Sequence, residues 1–93
     1  IVPLSGPQAY QTFRLLQGVT KIGNAQGVNV VINDGFMTGE HCHIVGSPAG
    51  FQLQDNKSTN GSFVNDKRIE RHDLVDNDVI TLGRTHIVFK SIN

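Results

Sequence analysis

The sequence predicts an all-β fold: a two-sheet β-sandwich of short, mostly antiparallel strands with little or no helix. Two observations predict it. Turn-forming residues recur at short intervals along the whole chain, and between them apolar and polar residues alternate with a period of two.

The turn signals come first. They are Ser5-Gly6-Pro7, Gly18, Gly23-Asn24, Asn33-Asp34-Gly35, Gly46-Ser47-Pro48, Asp55-Asn56, Asn60-Gly61, Asn65-Asp66, Asp76-Asn77-Asp78 and Gly83. Between them, Val28, Val30 and Ile32 fall on one strand face, with Asn29 and Asn33 on the other. Phe51 and Leu53 alternate with Gln52 and Gln54. Ile80 and Leu82 flank Thr81, and Ile87 and Phe89 alternate with His86 and Val88. From Ser62 to Leu82 the apolar residues recur too sparsely for a helical stripe, and the segment reads as strand, turn, short strand, turn, strand. Residues 7–17 fit two patterns. Ala9, Phe13 and Leu16 match helical spacing between Pro7 and Gly18, while Phe13 and Leu15 match a strand. The regular segments amount to about ten strands.

Ninety-three residues make one domain, residues 1–93. A chain of this size buries roughly 60–65% of its unfolded surface, enough for one core but little for a deep enzyme cleft. Apolar residues are 38% and charged residues 17%, an ordinary globular balance. Eight basic residues offset eight acidic ones, which argues against a nucleic-acid or membrane-surface binder. Cys42 is the only cysteine, so no intrachain disulfide forms, and a reducing intracellular compartment such as the cytoplasm is expected. No apolar run is long enough to span a membrane. Ile1 opens without the charged region of a signal peptide or an initiator Met, so a segment of a longer multidomain protein, or a processed one, is expected.

Three segments stand in a particular order. Thr20-Lys21-Ile22-Gly23-Asn24 is a strand ending in a glycine turn. Met37-Thr38-Gly39-Glu40-His41 is a loop after the 30–32 strand. Lys57-Ser58-Thr59-Asn60-Gly61-Ser62-Phe63-Val64-Asn65 is a polar loop feeding an alternating strand. Short hydroxyl and amide side chains bond backbone groups or anions, and Asn-Gly takes left-handed turn geometry. Consecutive N–H groups in such turns form anion-binding concavities.

This order resembles the forkhead-associated (FHA) domain family. The family pattern runs Gly-Arg, Ser-Arg-x-His, Ser-x-Asn-Gly-Thr-x-hydrophobic-Asn-Gly and Leu-x-x-Gly-Asp-x-Ile-x-Leu-Gly. Here it appears as Gly23-Asn24, Thr38-Gly39-Glu40-His41, Ser58 to Asp66, and Leu74 to Gly83. Leu4 to Leu15 also looks like the family's first hairpin, so the resemblance covers nearly the whole chain.

The resemblance implies a sandwich of about eleven strands, with loops at one end that bind phosphothreonine peptides, and no catalysis or cofactor. It assigns the phosphopeptide contacts to Asn24, Thr38, Gly39, Thr59 and Asn60. It gives Gly23, His41, Ser58, Gly61 and Asn65 structural roles in the motif. The implied partner is a protein or phosphopeptide, a segment of the protein's own full-length chain included, bound by a monomeric domain. Two departures bear on phosphate. The family's phosphate-binding Arg is Asn24 here, and the Arg or Asn that often follows the loop Ser is Gly39. Losing a charged, bidentate donor weakens a phosphate site, and Lys21, on the same strand face as Gly23, is a candidate auxiliary cation. A phosphate-independent interaction or scaffold module on the same fold is the alternative reading.

Other features read blandly. His41 and His43 share a strand face but lack the further ligands a structural metal site needs. Cys42 has no orienting base or oxyanion donors, which leaves it a small core residue. Lys67, Arg68 and Arg71, interleaved with Asp66, Glu70 and Asp73, read as a solvated turn.

Overall fold

A computed structural model describes residues 1–3, 13–15 and 17–90. Most of the ambiguous 7–17 segment and of the expected first hairpin therefore lies outside the described residues. Ten strands are described: β1 (Val2–Pro3), β2 (Gly18–Gly23), β3 (Val30–Val31), β4 (Cys42–Ser47), β5 (Gly50–Asp55), β6 (Ser62–Val64), β7 (Lys67–Ile69), β8 (Arg71–Asp73), β9 (Val79–Leu82) and β10 (Thr85–Val88). They form two five-stranded sheets, ordered β1-β10-β9-β6-β7 and β3-β2-β4-β5-β8. All pairings are antiparallel except β2 with β3. The all-β two-sheet expectation holds.

The alternation read from the sequence sets which face is buried. Val28, Val30 and Ile32 turn inward while Asn29 and Asn33 stay exposed. Ile22, Ile44 and Leu53 from one sheet meet Ile80, Leu82 and Ile87 from the other in one core, each at most 1% exposed. Phe51 and Phe89 close one end, ring centroids 5.8 Å apart. Full burial of an aliphatic side chain contributes roughly 1.5–3 kcal/mol, so this inner face dominates the fold's stability.

The 62–82 segment departs from the sequence reading in one respect. It contains four strands, because Arg71–Asp73 forms β8 and pairs with β5. The chain leaves one sheet at Ile69 and joins the other at Arg71, and Asp55 donates its N–H to the carbonyl of the intervening Glu70 at 2.9 Å. Asn65, at φ +50°, turns the chain between β6 and β7. Its amide nitrogen donates to Asp78 Oδ1 at 2.9 Å, and its Oδ1 accepts from the Val79 N–H at 3.0 Å. Among the described residues no helix is long and apolar enough to cross a membrane.

Candidate functional site

The three motif segments meet at one end of the sandwich. Gly23, the last residue of β2, lies against the 38–41 loop so tightly that a Cβ there would sit 1.8 Å from the Gly39 carbonyl oxygen. Only glycine permits that approach. Backbone bonds complete the seam, with Asn24 N–H donating to Thr38 O and Ala25 N–H to Gly39 O. A Cβ on Gly39 would meet that of Ala25 at 3.2 Å, so a side chain there requires Ala25 to give by a few tenths of an ångström.

His41 is fully buried and ties this loop to the 58–61 loop. Its Nδ1 accepts the Thr38 N–H at 3.0 Å. That assigns the ring proton to Nε2, which donates to the Gly61 carbonyl at 2.8 Å. Both ring nitrogens are thus engaged by protein, which leaves no lone pair for a metal. The His41 backbone adds an N–H bond to Ile22 O and accepts from the Asn56 N–H. Gly61 sits at φ +87°, a left-handed conformation that suits glycine, and is itself buried. Cys42, next along β4, is buried, and burial pushes its thiol far above the ordinary range.

The two loops also bond directly. Thr59 donates its N–H to Thr38 Oγ1 at 3.1 Å. With the oxygen fixed this way, the Thr38 hydroxyl proton is left as a donor. Asn60 donates its side-chain amide to the Phe36 carbonyl at 2.7 Å, which orients the carboxamide at the surface. Thr59 and Asn60 are exposed beside it. Asn24 is exposed too, but its Nδ2 donates to the Asp34 carbonyl at 3.0 Å, so its amide braces a loop. Lys21 lies on the flank, its Nζ 3.4 Å from Glu40 Oε1 in a solvent-exposed ion pair.

Two carboxylates support these loops. Asp55 accepts from the Ser58 hydroxyl at 2.5 Å, the Ser58 N–H at 3.1 Å and the Ser62 hydroxyl at 2.6 Å. Burial pushes its carboxyl up, and those hydrogen bonds outweigh burial and hold it below the ordinary carboxylate range. Asp34 accepts from the Phe36 and Arg84 N–H groups, each at 2.8 Å, and from the Thr85 hydroxyl at 2.7 Å. It is likewise held low against a burial effect that raises it. The Arg84 guanidinium stacks 4.0 Å over the Phe36 ring. The sequence reading missed both carboxylates as site supports. Asp55 had a local signal, an acid three residues before a serine, and Asp34 had the two-residue spacing of an Asx turn.

The structure thus brings Gly23, Asn24, Thr38, Gly39, His41, Ser58, Thr59, Asn60 and Gly61 together, leaves Lys21 on the flank, and places Asn65 away from the loops as a turn residue. The result is a pre-ordered surface with short hydroxyl and amide donors. A model of the FHA domain matches residues 20–83. The chain is 37% identical over 78 residues to the ABC transporter ATP-binding/permease protein Rv1747 of Mycobacterium tuberculosis, covering 84% of this chain and 9% of that protein. It is 31% identical over 80 residues to the FHA domain-containing protein FhaA of the same organism, covering 86% and 15%. It is 27% identical over 89 residues to the glycogen accumulation regulator GarA of Mycolicibacterium smegmatis, covering 96% and 56%. The chain spans less than two thirds of the length of each. Among solved structures, a domain from a structural and functional analysis of phosphothreonine-dependent FHA domain interactions superposes with a TM-score of 0.92 at 28% identity, over 99% of this chain and 94% of that one. The FhaA FHA domain, solved in complex with the intracellular domain of Rv3910, superposes with a TM-score of 0.84 at 30% identity, over 88% and 90%. By sequence and by structure, this chain belongs to the FHA domain family.

Proposed function

We propose that this FHA domain is a non-catalytic module that binds a phosphothreonine-bearing segment of a protein, through a phosphate site weakened at Asn24. The observation that carries the reading is the Thr59 N–H bond to Thr38 Oγ1 at 3.1 Å. It joins the two loops and leaves the Thr38 hydroxyl as a donor beside Thr59 and Asn60. Phosphopeptide capture by loops of this kind is an established recognition mode. The solved neighbours support it: one comes from work on phosphothreonine-dependent FHA interactions, and another is EmbR in complex with a low-affinity phosphopeptide. In this reading Thr38 bonds phosphate oxygens, Thr59 and Asn60 hold phosphothreonine and peptide backbone, and Asn24 and Gly39 add only neutral contacts. The domain works as a monomer in a reducing intracellular compartment, on a separate protein or a segment of its own full-length chain.

Fluorescence-polarisation titration with matched peptide libraries, phosphorylated and unphosphorylated on threonine, tests this. Tighter binding of the phosphorylated set is expected; no preference would sink the reading. A second reading, a phosphate-independent interaction module, is favoured by one specific feature: Asn24 carries no charge, and Lys21 is already paired with Glu40. Chemical-shift mapping of a partner onto a surface away from Thr38 and Asn60 would support it. Loss of the partner on phosphatase treatment would refute it.

A further inference from the structure

The basic residues of the 67–71 segment are solvent-exposed, as the sequence reading has them, and two of them border a common groove. Arg68 and Arg71 join Lys57 along an open groove of about 730 Å³, which Gln54, Asp55 and Glu70 also line. The groove lies where the chain crosses from β7 to β8, and it opens directly onto the binding loop. Lys57 begins the loop that carries Thr59 and Asn60. The Arg68 guanidinium packs on that loop's backbone, since a Cβ built on Gly61 would lie 2.8 Å from Arg68 Nε. All three cations are exposed, and none forms a salt bridge among the described residues. Two carboxylates face the three cations, Glu70 and Asp55, the latter held ionised by its bonds from Ser58 and Ser62, so the groove lining keeps a net positive charge of one, three cations against two acids.

We propose that this groove is a second contact for the ligand: Lys57, Arg68 and Arg71 take an anionic flank of the same peptide whose phosphothreonine the loops hold. Arginines read carboxylates and phosphates through charged, bidentate bonds, and the flank's charge comes from acidic residues or from a second phosphorylated residue. The proposal rests on the phosphothreonine reading and supplies, outside the pocket, positive charge that Asn24 does not.

The test uses this chain and one peptide core, with neutral, Asp-rich or phosphoserine-bearing flanks placed on either side. Each peptide is made with the central threonine phosphorylated and unphosphorylated. Anionic flanks are expected to tighten binding about tenfold, the scale of three exposed ion pairs acting together. Comparing the Asp and phosphoserine arms identifies which anion is read. The double variant Lys57→Gln/Arg71→Gln is expected to lose the gain while binding the neutral-flank phosphopeptide within about twofold of wild type. Equal affinity for neutral and anionic flanks overturns the proposal. So does an equal loss on both in the double variant, or equally strong displacement by a short oligothymidylate. If threonine phosphorylation makes no difference but anionic flanks still bind through Lys57 and Arg71, the groove stands and the phosphothreonine reading falls.

Discussion

Replacing Asn24 by arginine tests whether the charge missing from the pocket limits phosphate binding. The change removes one neutral, exposed hydrogen bond, from Asn24 Nδ2 to the Asp34 carbonyl at 3.0 Å. That loss costs about 0.5–1.5 kcal/mol of loop order. A guanidinium reaching the phosphate adds a charge-assisted bond of about 1.5–3 kcal/mol. The difference is about 1–1.5 kcal/mol, or roughly a five- to tenfold gain in affinity. The Asp34 carboxylate, ionised in the fold, competes for the new cation and places the expected gain toward the lower end of that range. It already accepts from Phe36, Arg84 and Thr85.

The assay is a polarisation titration of wild type, Asn24→Arg and Asn24→Lys against one phosphothreonine peptide and its unphosphorylated twin. Arginine is expected to outperform lysine, which offers a point charge in place of a fork. The gain should shrink at high salt, because the Debye length falls from about 10 Å at 0.1 M to about 3 Å at 1 M. Two results refute the reasoning. One is an unchanged phosphopeptide affinity in a variant that unfolds at the wild-type temperature. The other is an equal gain for the unphosphorylated peptide.

The remaining predictions concern what holds the loops. His41→Ala removes both ring bonds of a fully buried side chain, one within the 38–41 loop and one across to Gly61, and should cost about 3–5 kcal/mol in urea denaturation, whereas His41→Asn, which keeps an acceptor toward Thr38, should recover part of that loss. Gly23→Ala drives a methyl into the Gly39 carbonyl; it should lower the melting temperature and weaken peptide binding together, read by calorimetry and polarisation on one sample. Asp34, Asp55 and Asp78 are all held below their ordinary pKa of 3.8 in the fold. Such groups stabilise above the unfolded value and lose that contribution as pH falls through the folded one. The melting temperature should therefore drop steeply below about pH 4, and Asp55→Asn should flatten that limb.

How much of this was legible depends on how far apart the partners lie. Alternation through Phe51–Gln54 and Ile80–Leu82 named the buried faces, because period two is a local property of a strand. The polar Arg71-His72-Asp73 has no apolar face of its own. It becomes β8 only because Leu53 and its neighbours on β5 pair with it, a context no local pattern carries. The motif named Thr38, Thr59 and Asn60, and their loops do meet. It did not reveal that Asn24 spends its amide on a backbone carbonyl ten residues away, nor that Lys21 pairs with Glu40 nineteen residues on. Asp34 reaches Thr85 across 51 residues. No spacing rule spans that distance, although the Asx turn at Phe36 could have drawn attention to the same carboxylate.

The exposed loop residues and the bracing ones do different jobs. Thr59 and Asn60 are exposed and make few demands on the core. His41, Asp55 and Asp34 contribute no group to the proposed ligand, yet between them they accept or donate the bonds that fix each loop. A loop fixed before binding loses less conformational entropy on capture, at about 0.5–1.5 kcal/mol per side chain that need not be immobilised. Part of the affinity of this surface therefore resides in residues that brace the loops, the buried His41 and the partly buried Asp34 and Asp55. Substitutions at those positions should weaken every ligand alike. Substitutions at Asn24 and along the Lys57–Arg71 groove should change which ligand is preferred.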